Sequence, residues 1–239
     1  MPLDRLRLID ELAAIVADVA RVAELPRRIC DAVVETLPVD GVGVSLMNLD
    51  IAGGRTLLGA SNEVGAGIEE LQYRLGEGPC VSAFVDNQPV LVPDLQTAEA
   101  TVRWPMFTRE IAAMGVRAIF ALPLRIGMHS MGVLDFHRTR HGPLLEVVEA
   151  LLVADAVAIV LFNYQLRQQQ TEGMPDLYEL SQLRHDQVHL AIGMVSGQLD
   201  IPNEQAIDLL RAYAYEHGEH LNDVAEQVVE RRLRLTLDT

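Results

Sequence analysis

Two cysteines are the residues of this chain with the clearest chemical potential. Cys80 closes the string Gly76-Glu77-Gly78-Pro79-Cys80, in which the proline favours the first turn of a helix. A helix N-terminus lowers the pKa of a thiol, so Cys80 is a candidate redox sensor, with a buried apolar cysteine as the competing interpretation. Cys30 is the other cysteine, and two cysteines without CxxC spacing predict neither a disulfide framework nor a zinc site.

Histidines form two close pairs in predicted helices. His185 and His189 stand four residues apart, and His217 and His220 stand three apart. No cysteine or ordered carboxylate completes either pair and HExxH is absent, so we expect exposed helix histidines and no metal site. His137, on the last predicted strand, is a candidate for lining a ligand pocket.

Motifs for catalysis are missing from the sequence. It contains no nucleophile elbow, no paired-carboxylate motif and no set of metal ligands. The glycines around Cys80 predict turns and not a phosphate-binding loop, because no Gly-Lys-Ser/Thr follows them. The sequence therefore predicts a protein that is not an enzyme.

The charge of the chain limits its partners. The 239 residues include 34 acidic side chains and 19 basic ones, all of them arginines, for a net charge of −15. Because such a chain repels phosphate backbones, a nucleic acid can bind only at a local basic patch. Hydrophobic residues make up 49% and charged residues 22%, a balance typical of a folded protein with a core.

Hydrophobic patterning predicts a mixed first region. Apolar residues at intervals of three and four predict helices over 6–20 and 26–36. Alternating residues then predict a hairpin and, after several short helices, three more strands. The predicted strands are 42–46, 55–61, 90–92, 118–124 and 131–137. This order favours an α+β domain around an antiparallel sheet.

The rest of the chain is predicted to be helical. An apolar stripe predicts one long helix over 144–166, whose longest apolar run is too short to span a bilayer. Residues 169–176 predict a linker, since they are polar and then broken by glycine and proline. Three further helices follow, the last over about 220–234, so we expect domains over 1–168 and 177–237. With no secretory signal at its start, the chain is expected to be cytoplasmic.

The C-terminal helices contain the most specific pattern in the sequence. The blocks 191–195, 206–214 and 221–229 (AIGMV, AIDLLRAYA and LNDVAEQVV) occur in the order found in the ANTAR domain, which this part of the chain resembles. ANTAR domains are three-helix modules of bacterial antitermination regulators that bind paired RNA hairpins. The resemblance therefore implies a small all-α output module whose partner is an RNA hairpin in a nascent transcript.

The first region resembles a GAF domain. The resemblance rests on the order of the predicted elements and on the string from Gly76 to Cys80. It implies a sensory domain that responds to a small molecule, a redox signal or a partner, and the sequence names neither the ligand nor a cofactor. A GAF domain followed by an ANTAR module resembles a known class of bacterial regulators.

Arginines of the C-terminal region are the candidates for RNA contact. The expected contacts are Arg184, Arg211, Arg231 and Arg232. The competing interpretation is a solvated helix face paired to carboxylates, or cations that stabilise a helix C-terminus. Residues 171–239 contain five arginines and thirteen acidic residues, a balance of −8, and ANTAR modules commonly carry basic residues where this chain has Ile192, Glu219 and His220. Fewer cations lower the affinity for phosphate.

Apolar stripes flank the predicted sheet. The stripes over 6–20 and 144–166 exceed what one domain core needs, and the helices that flank a GAF sheet often pair between subunits. We therefore expect a homodimer with a four-helix interface. The alternative is one helix pair packed within a single chain.

The expected function is signal-responsive transcription antitermination, with a GAF sensor controlling an RNA-binding ANTAR module. Three alternatives stay open on the sequence alone. The chain could be a dimeric interaction regulator whose ANTAR module has lost strong RNA binding, or a small enzyme that uses Cys30 and Cys80 on sulfur substrates. A DNA-binding tail is the third, disfavoured because no helix is basic enough to hold duplex phosphates.

Overall fold

The structure, a computed structural model, describes residues 12, 14, 24–48, 54–171, 173–175, 177, 179 and 185–236. The candidate Arg184 and most of the predicted helix over 6–20 lie outside these residues. The strands are β1 (Gly41–Asn48), β2 (Gly54–Ala60), β3 (Val90–Val92), β4 (Ala118–Ile126) and β5 (His129–Arg138). The helices are α1 (Leu25–Val34), α2 (Glu63–Leu75), α3 (Pro79–Asp86), α4 (Ala98–Arg103), α5 (Pro105–Ile111), α6 (Val147–Gln170), α7 (Asp186–Leu199), α8 (Asn203–His217) and α9 (Leu221–Val229).

The strands form one antiparallel sheet in the order β2-β1-β5-β4-β3. Val44 of β1 lies opposite Leu134 of β5, which lies opposite Leu122 of β4, so these side chains share one face. The next residue along β5, Asp135, points to the other face. This arrangement confirms the predicted α+β fold with an antiparallel sheet flanked by helices.

The two faces of the sheet have separate apolar cores. On one face, Phe120, Leu122 and Leu134 pack with α1 and α6. On the other, Ile119 and Val133 pack with α2, α3 and α5. The second face also carries polar side chains, and it is there that the candidate sensing residues lie.

Helix α6 closes the first face of the sheet. It begins at Val147, later than predicted. It ends at Gln170, so it continues past the predicted end at 166 and into the predicted linker. Among the described residues it is the one helix long and apolar enough to cross a membrane, with a mean hydropathy of 2.0 over its most apolar stretch. Half of that stretch is buried inside the molecule, and α6 packs on β4, as a core helix does.

Helices α7, α8 and α9 share a third apolar core. Its buried side chains include Val188, Ala191, Ile192, Val195, Ala206, Ile207, Leu210, Ala214, Leu221, Val224, Ala225 and Val228. Tyr73 of α2 also belongs to this core, so the C-terminal helices dock on the first domain. The last helix ends at Val229, and the prediction that it runs to residue 234 is wrong. Arg231 has a left-handed backbone with φ of 60°, which a helix cannot continue through.

Candidate functional site

The string from Gly76 to Cys80 connects three helices. Gly76 ends α2 with φ of 67°, a conformation that favours glycine. The carboxylate of Glu77 accepts hydrogen bonds from the backbone N–H groups of Met106 and Phe107, each at 2.7 Å, and so caps the start of α5. Pro79 is then the first residue of α3, as predicted.

Cys80 lies at the start of α3 and is fully buried. Its backbone N–H donates to Oε1 of Gln72 at 2.8 Å, and its Sγ lies 3.8 Å from Oε2 of Glu69. Burial raises the pKa of the Cys80 thiol well above its usual value, although the guanidinium of Arg55 acts in the opposite direction. Burial therefore outweighs the expected effect of the helix N-terminus, and redox sensing by Cys80 stays a prediction.

Cys80 belongs to a group of five buried side chains that we call the polar cluster. Its members are Ser45 (β1), Arg55 (β2), Glu69 (α2), Cys80 (α3) and Asp135 (β5). Arg55 and Glu69 form an ion pair whose side chains are 6% and 1% exposed. The hydroxyl of Ser45 also donates to Glu69. Since strands β2, β1 and β5 are neighbours, the sheet brings three of these residues to the same face.

The pKa values of the two carboxyl groups in the polar cluster are shifted in opposite directions. Burial alone would raise the pKa of Glu69, but the ion pair with Arg55 brings it below its usual value. Burial, and then the negative charge of Glu69, raise the pKa of Asp135 well above its usual value. Two carboxyl groups this close do not both ionise easily without a further cation, so the pair is poised to bind a proton or another positive charge.

His137 lies beside the polar cluster on β5. It is buried, and it lines a narrow recess together with Glu69 and Asp135. Burial lowers the pKa of its imidazole, which favours the neutral form. Gly41 lies directly against the ring, and a Cβ at that position would overlap it. The structure thus places His137 on the face that holds Cys80, while a ligand-sensing role stays a prediction.

Arg211, an expected RNA contact, lies against the first domain instead. Its Nη2 donates to the backbone carbonyl of Tyr73 at 2.9 Å, and its guanidinium lies 5.9 Å from the centre of the Tyr73 ring. Nη1 lies 3.5 Å from a carboxylate oxygen of Asp208 on the same helix. The side chain is only 18% exposed, and burial lowers the pKa of the guanidinium.

His185 makes a second contact at the same place. Its ring stacks on Tyr73 with 3.6 Å between centroids, and Nε2 lies 3.6 Å from a carboxylate oxygen of Glu70. The prediction of an exposed histidine is wrong here, because α2 covers the ring. Burial lowers the pKa of His185 to about 4. We call the contact of Arg211 and His185 with Tyr73 the docking contact.

The remaining candidate arginines lie at the end of the chain. Arg231 and Arg232 are exposed residues beyond the end of α9. Nη2 of Arg232 lies 2.5 Å from a carboxylate oxygen of Glu230, so this arginine is paired as the competing interpretation expected. The hydrogen bond, ion pairs and ring stacking described for the docking contact involve neither of them, and they stay candidate RNA contacts.

Sequence reasoning missed most of the polar cluster and the partner of Arg211. Arg55 and Asp135 fall inside predicted strands, where charged residues usually face solvent. The alternation along β5 offered one indication of where Asp135 lies. Residues two apart in a strand share a face, so Asp135 lies on the face of Val133 and His137 and opposite to Leu134. No local pattern indicated that Tyr73 would meet residues so far along the chain.

Comparisons with known proteins agree with this architecture. Residues 19–161 match the family model described as GAF domain. Similar solved structures include the GAF domain of a phosphoenolpyruvate-protein phosphotransferase from Coxiella burnetii, at 16% identity and a TM-score of 0.51, covering 69% of this chain and 96% of that one. A domain of a two-component sensor histidine kinase from Sinorhizobium meliloti 1021 is 16% identical with a TM-score of 0.50, covering 63% and 97%. At these identities the likeness shows the fold alone. Comparison with curated proteins gives no match.

Proposed function

The chain belongs to the GAF domain family. From this, and from the resemblance of its C-terminal blocks to ANTAR, we propose that it is a signal-responsive regulator of transcription antitermination. In this proposal the GAF domain is the sensor, and α7, α8 and α9 form an ANTAR-type output that binds RNA hairpins. The protein acts in the cytoplasm as a homodimer and responds to a ligand or chemical signal near Cys80 and His137.

The packing of the C-terminal helices supports an ANTAR-type output. The three sequence blocks that resemble ANTAR supply the side chains of one apolar core, with Ala191 from the first, Leu210 from the second and Val224 from the third. Residues that pack together in this way determine the fold. The partner is determined by the residues on the outer faces of the three helices.

The docking contact is the observation that supports control of the output by the sensor. While Arg211 donates to the carbonyl of Tyr73, its side chain is only 18% exposed and its Nη2 is occupied by this hydrogen bond. An arginine contributes to RNA binding mainly through phosphate contacts, so the docked state holds one such contact back. Release of Arg211 from α2 would therefore raise the affinity for RNA.

Helix α2 offers a direct route from the sensor to the output. Glu69 and Gln72 face the polar cluster, and Tyr73 follows one residue later on the side of the C-terminal helices. A signal that changes the charge or position of Glu69 would shift a rigid helix whose other face holds Arg211. In this mechanism α2 has two positions, one with Arg211 bound and one with Arg211 released. A signal at the polar cluster and RNA at the C-terminal helices both shift the equilibrium between them.

The buried thiols favour a regulator over a thiol enzyme. Cys30 and Cys80 are both fully buried, and burial raises the pKa of each above its usual value. A protonated and inaccessible thiol is a poor nucleophile. The proposed protein therefore senses and transmits, and it does not catalyse a reaction.

Titration of the full chain with a tandem-hairpin RNA, at low and then moderate salt, tests this function. We expect binding that weakens as salt rises. In Gly76→Ala protein, where a Cβ placed against Nη1 releases Arg211, adding Arg211→Ala should weaken binding further and reduce the salt slope by about one. Arg140→Ala, which removes an exposed arginine of the first domain, controls for the loss of one positive charge. Equal binding by both variants would contradict a role of Arg211 in RNA contact.

A second function is favoured by the charge of the output. The balance of −8 over residues 171–239 and the burial of Arg211 suit a module that binds a protein partner instead of RNA. If a folded dimer binds no hairpin RNA even at low salt, the chain is an interaction regulator. The docking contact would then control access to the protein-binding face of the same helices.

A further inference from the structure

Three side chains of the polar cluster bring potential metal ligands together. One ligand atom each from Glu69, Cys80 and Asp135 lies within 4.8 Å of the other two. The three residues come from α2, α3 and β5 and are all buried. Elements far apart in the chain therefore converge on one point, on the sheet face opposite α6.

Asp135 shows that this point is incomplete without a further partner. Its side chain is 4% exposed, and no N–H or hydroxyl group of the described residues donates to either carboxylate oxygen; its polar neighbours are the Glu69 carboxylate and the Cys80 thiol. Buried polar atoms in folded proteins nearly always have a partner, and an unpaired carboxylate in the interior is unfavourable by several kcal/mol. The position calls for a cation, a proton or a water molecule.

The charges of the cluster are compatible with a divalent cation. With Glu69 and Asp135 as carboxylates and Cys80 as a thiolate, the three ligands carry three negative charges. Arg55, which pairs with Glu69, supplies one positive charge. A divalent cation that displaces the protons of Cys80 and Asp135 would bring the sum for the four side chains to zero, as the two protons do in its absence.

We propose that Glu69, Cys80 and Asp135 bind a divalent transition-metal ion of the zinc type. A thiolate beside two carboxylates suits zinc and its neighbours and not magnesium or calcium, which take oxygen ligands. The 3.8 Å between Cys80 Sγ and Glu69 Oε2 is close to the ~3.5 Å that two ligands span on a tetrahedral zinc, given bonds of about 2.3 Å to sulfur and 2.0 Å to oxygen.

Neighbouring groups hold the ligands in position. Ser45 and Gln72 donate hydrogen bonds to Glu69, which is the role that outer groups have at metal sites. Binding displaces the thiol proton of Cys80 and any proton on Asp135 to solvent, and no electron transfer is involved. Three protein ligands leave one coordination position for water or for a small molecule. The site does not depend on the RNA-binding function.

The test uses cobalt(II) as the probe because cobalt reports its ligands spectroscopically. The full chain is unfolded with chelator present and refolded with or without Co²⁺ or Zn²⁺, so that a buried site can load as the domain folds. We expect one equivalent of metal retained after desalting, a thiolate-to-cobalt charge-transfer band in the near ultraviolet, and a raised melting temperature. Wild-type protein that retains no metal and shows no such band would overturn the proposal.

Variants assign the ligands. Cys80→Ser should abolish the charge-transfer band, and Asp135→Asn should weaken metal binding more than about tenfold. Cys30→Ser removes the other buried cysteine, which lies in the core on the opposite sheet face, and should bind metal like the wild type. Metal binding that survives in Asp135→Asn with wild-type affinity, or a cobalt band lost in Cys30→Ser instead, would overturn the assignment.

Discussion

Nη2 of Arg211 lies 2.9 Å from the backbone carbonyl oxygen of Tyr73, so a side chain of the C-terminal helices is bound by the last turns of α2 in the GAF domain. The bond involves backbone on one side, and it therefore depends on the position of α2 and not on the identity of residue 73. His185 adds a stacked ring on the same tyrosine. Together they join the C-terminal helices to α2, the contact through which we propose that the sensor controls the output.

Gly76→Ala should release Arg211 without unfolding the domain. A Cβ on residue 76 would lie 2.7 Å from Nη1 of Arg211, the mobile end of a flexible side chain. Gly115→Ala is the matched control, because Gly115 has a similar φ of 72° and open space around it. Both variants should lose about 1 kcal/mol to backbone strain, and Gly76→Ala about 1 kcal/mol more from the lost contact. Chemical denaturation measures both, and equal losses would contradict the docking contact.

Glu77→Ala should destabilise the sensor domain by about 2 kcal/mol, because two backbone N–H groups at the start of α5 lose a charged acceptor. Glu77→Gln keeps an acceptor oxygen and should lose less. Glu216→Ala, which removes an exposed glutamate from α8, should have an effect within about 0.5 kcal/mol. Urea denaturation of the three variants checks this order, and a neutral Glu77→Ala would show that the cap is unimportant.

His185 should make the docking contact sensitive to acid. Its pKa is lowered to about 4 by burial, whereas an undocked histidine titrates near 6.5. Between these pH values the undocked state binds more protons than the docked state. The contribution of His185 to the stability of the docked state is therefore fully present above about pH 6.5 and is lost as pH falls toward 4. Glu70 faces the ring and acts in the opposite sense, because burial raises its pKa.

A variant without the imidazole isolates the effect of His185 from that of Glu70. Melting temperatures between pH 7 and pH 5 should fall less steeply in His185→Gln than in the wild type, since the variant has no imidazole to protonate. His141→Gln, at an exposed histidine of the first domain, should keep the wild-type slope. Identical slopes for His185→Gln and the wild type would contradict the buried, neutral state of His185.

Helix α6 should form the dimer interface. Its inner side is buried on the sheet, while Phe162 and Leu166 stay 37% and 40% exposed one turn apart. A double change, Phe162→Glu with Leu166→Glu, should convert a dimer into a monomer in light scattering. Val102→Glu places the same charge at an exposed apolar residue of α4 and should leave the dimer intact. A monomeric wild type would contradict the expected homodimer.

Local patterns were sufficient to predict the strands and the two hairpins, but not the pairing of β1 with β5. The strand at Val90–Val92 was predicted with its observed bounds, and the two hairpins were placed within a few residues. Alternation and turn residues are local properties, and they specify antiparallel neighbours directly. Helix ends were predicted less well, because the stop of α9 depends on the left-handed backbone at Arg231.

The candidate site could not be predicted in the same way, because it is formed by contacts between residues far apart in the sequence. Arg55 is buried because Glu69 of another element neutralises it, and a lone arginine in a strand gives no indication of that partner. Arg211 was expected on an RNA-binding face from the resemblance, but its position is set by the carbonyl of Tyr73. Cys80 was placed correctly at a helix N-terminus, yet its pKa follows burial by residues from the sheet.

The most direct test of control by the sensor is the affinity of Gly76→Ala for a tandem-hairpin RNA, measured beside Gly115→Ala and the wild type at low salt. If docking holds Arg211 away from phosphate, Gly76→Ala should bind the RNA more tightly than both of the others, and adding Arg211→Ala should remove the gain. Equal affinities in all three proteins would contradict the account, because Arg211 would then contribute the same whether or not α2 holds it.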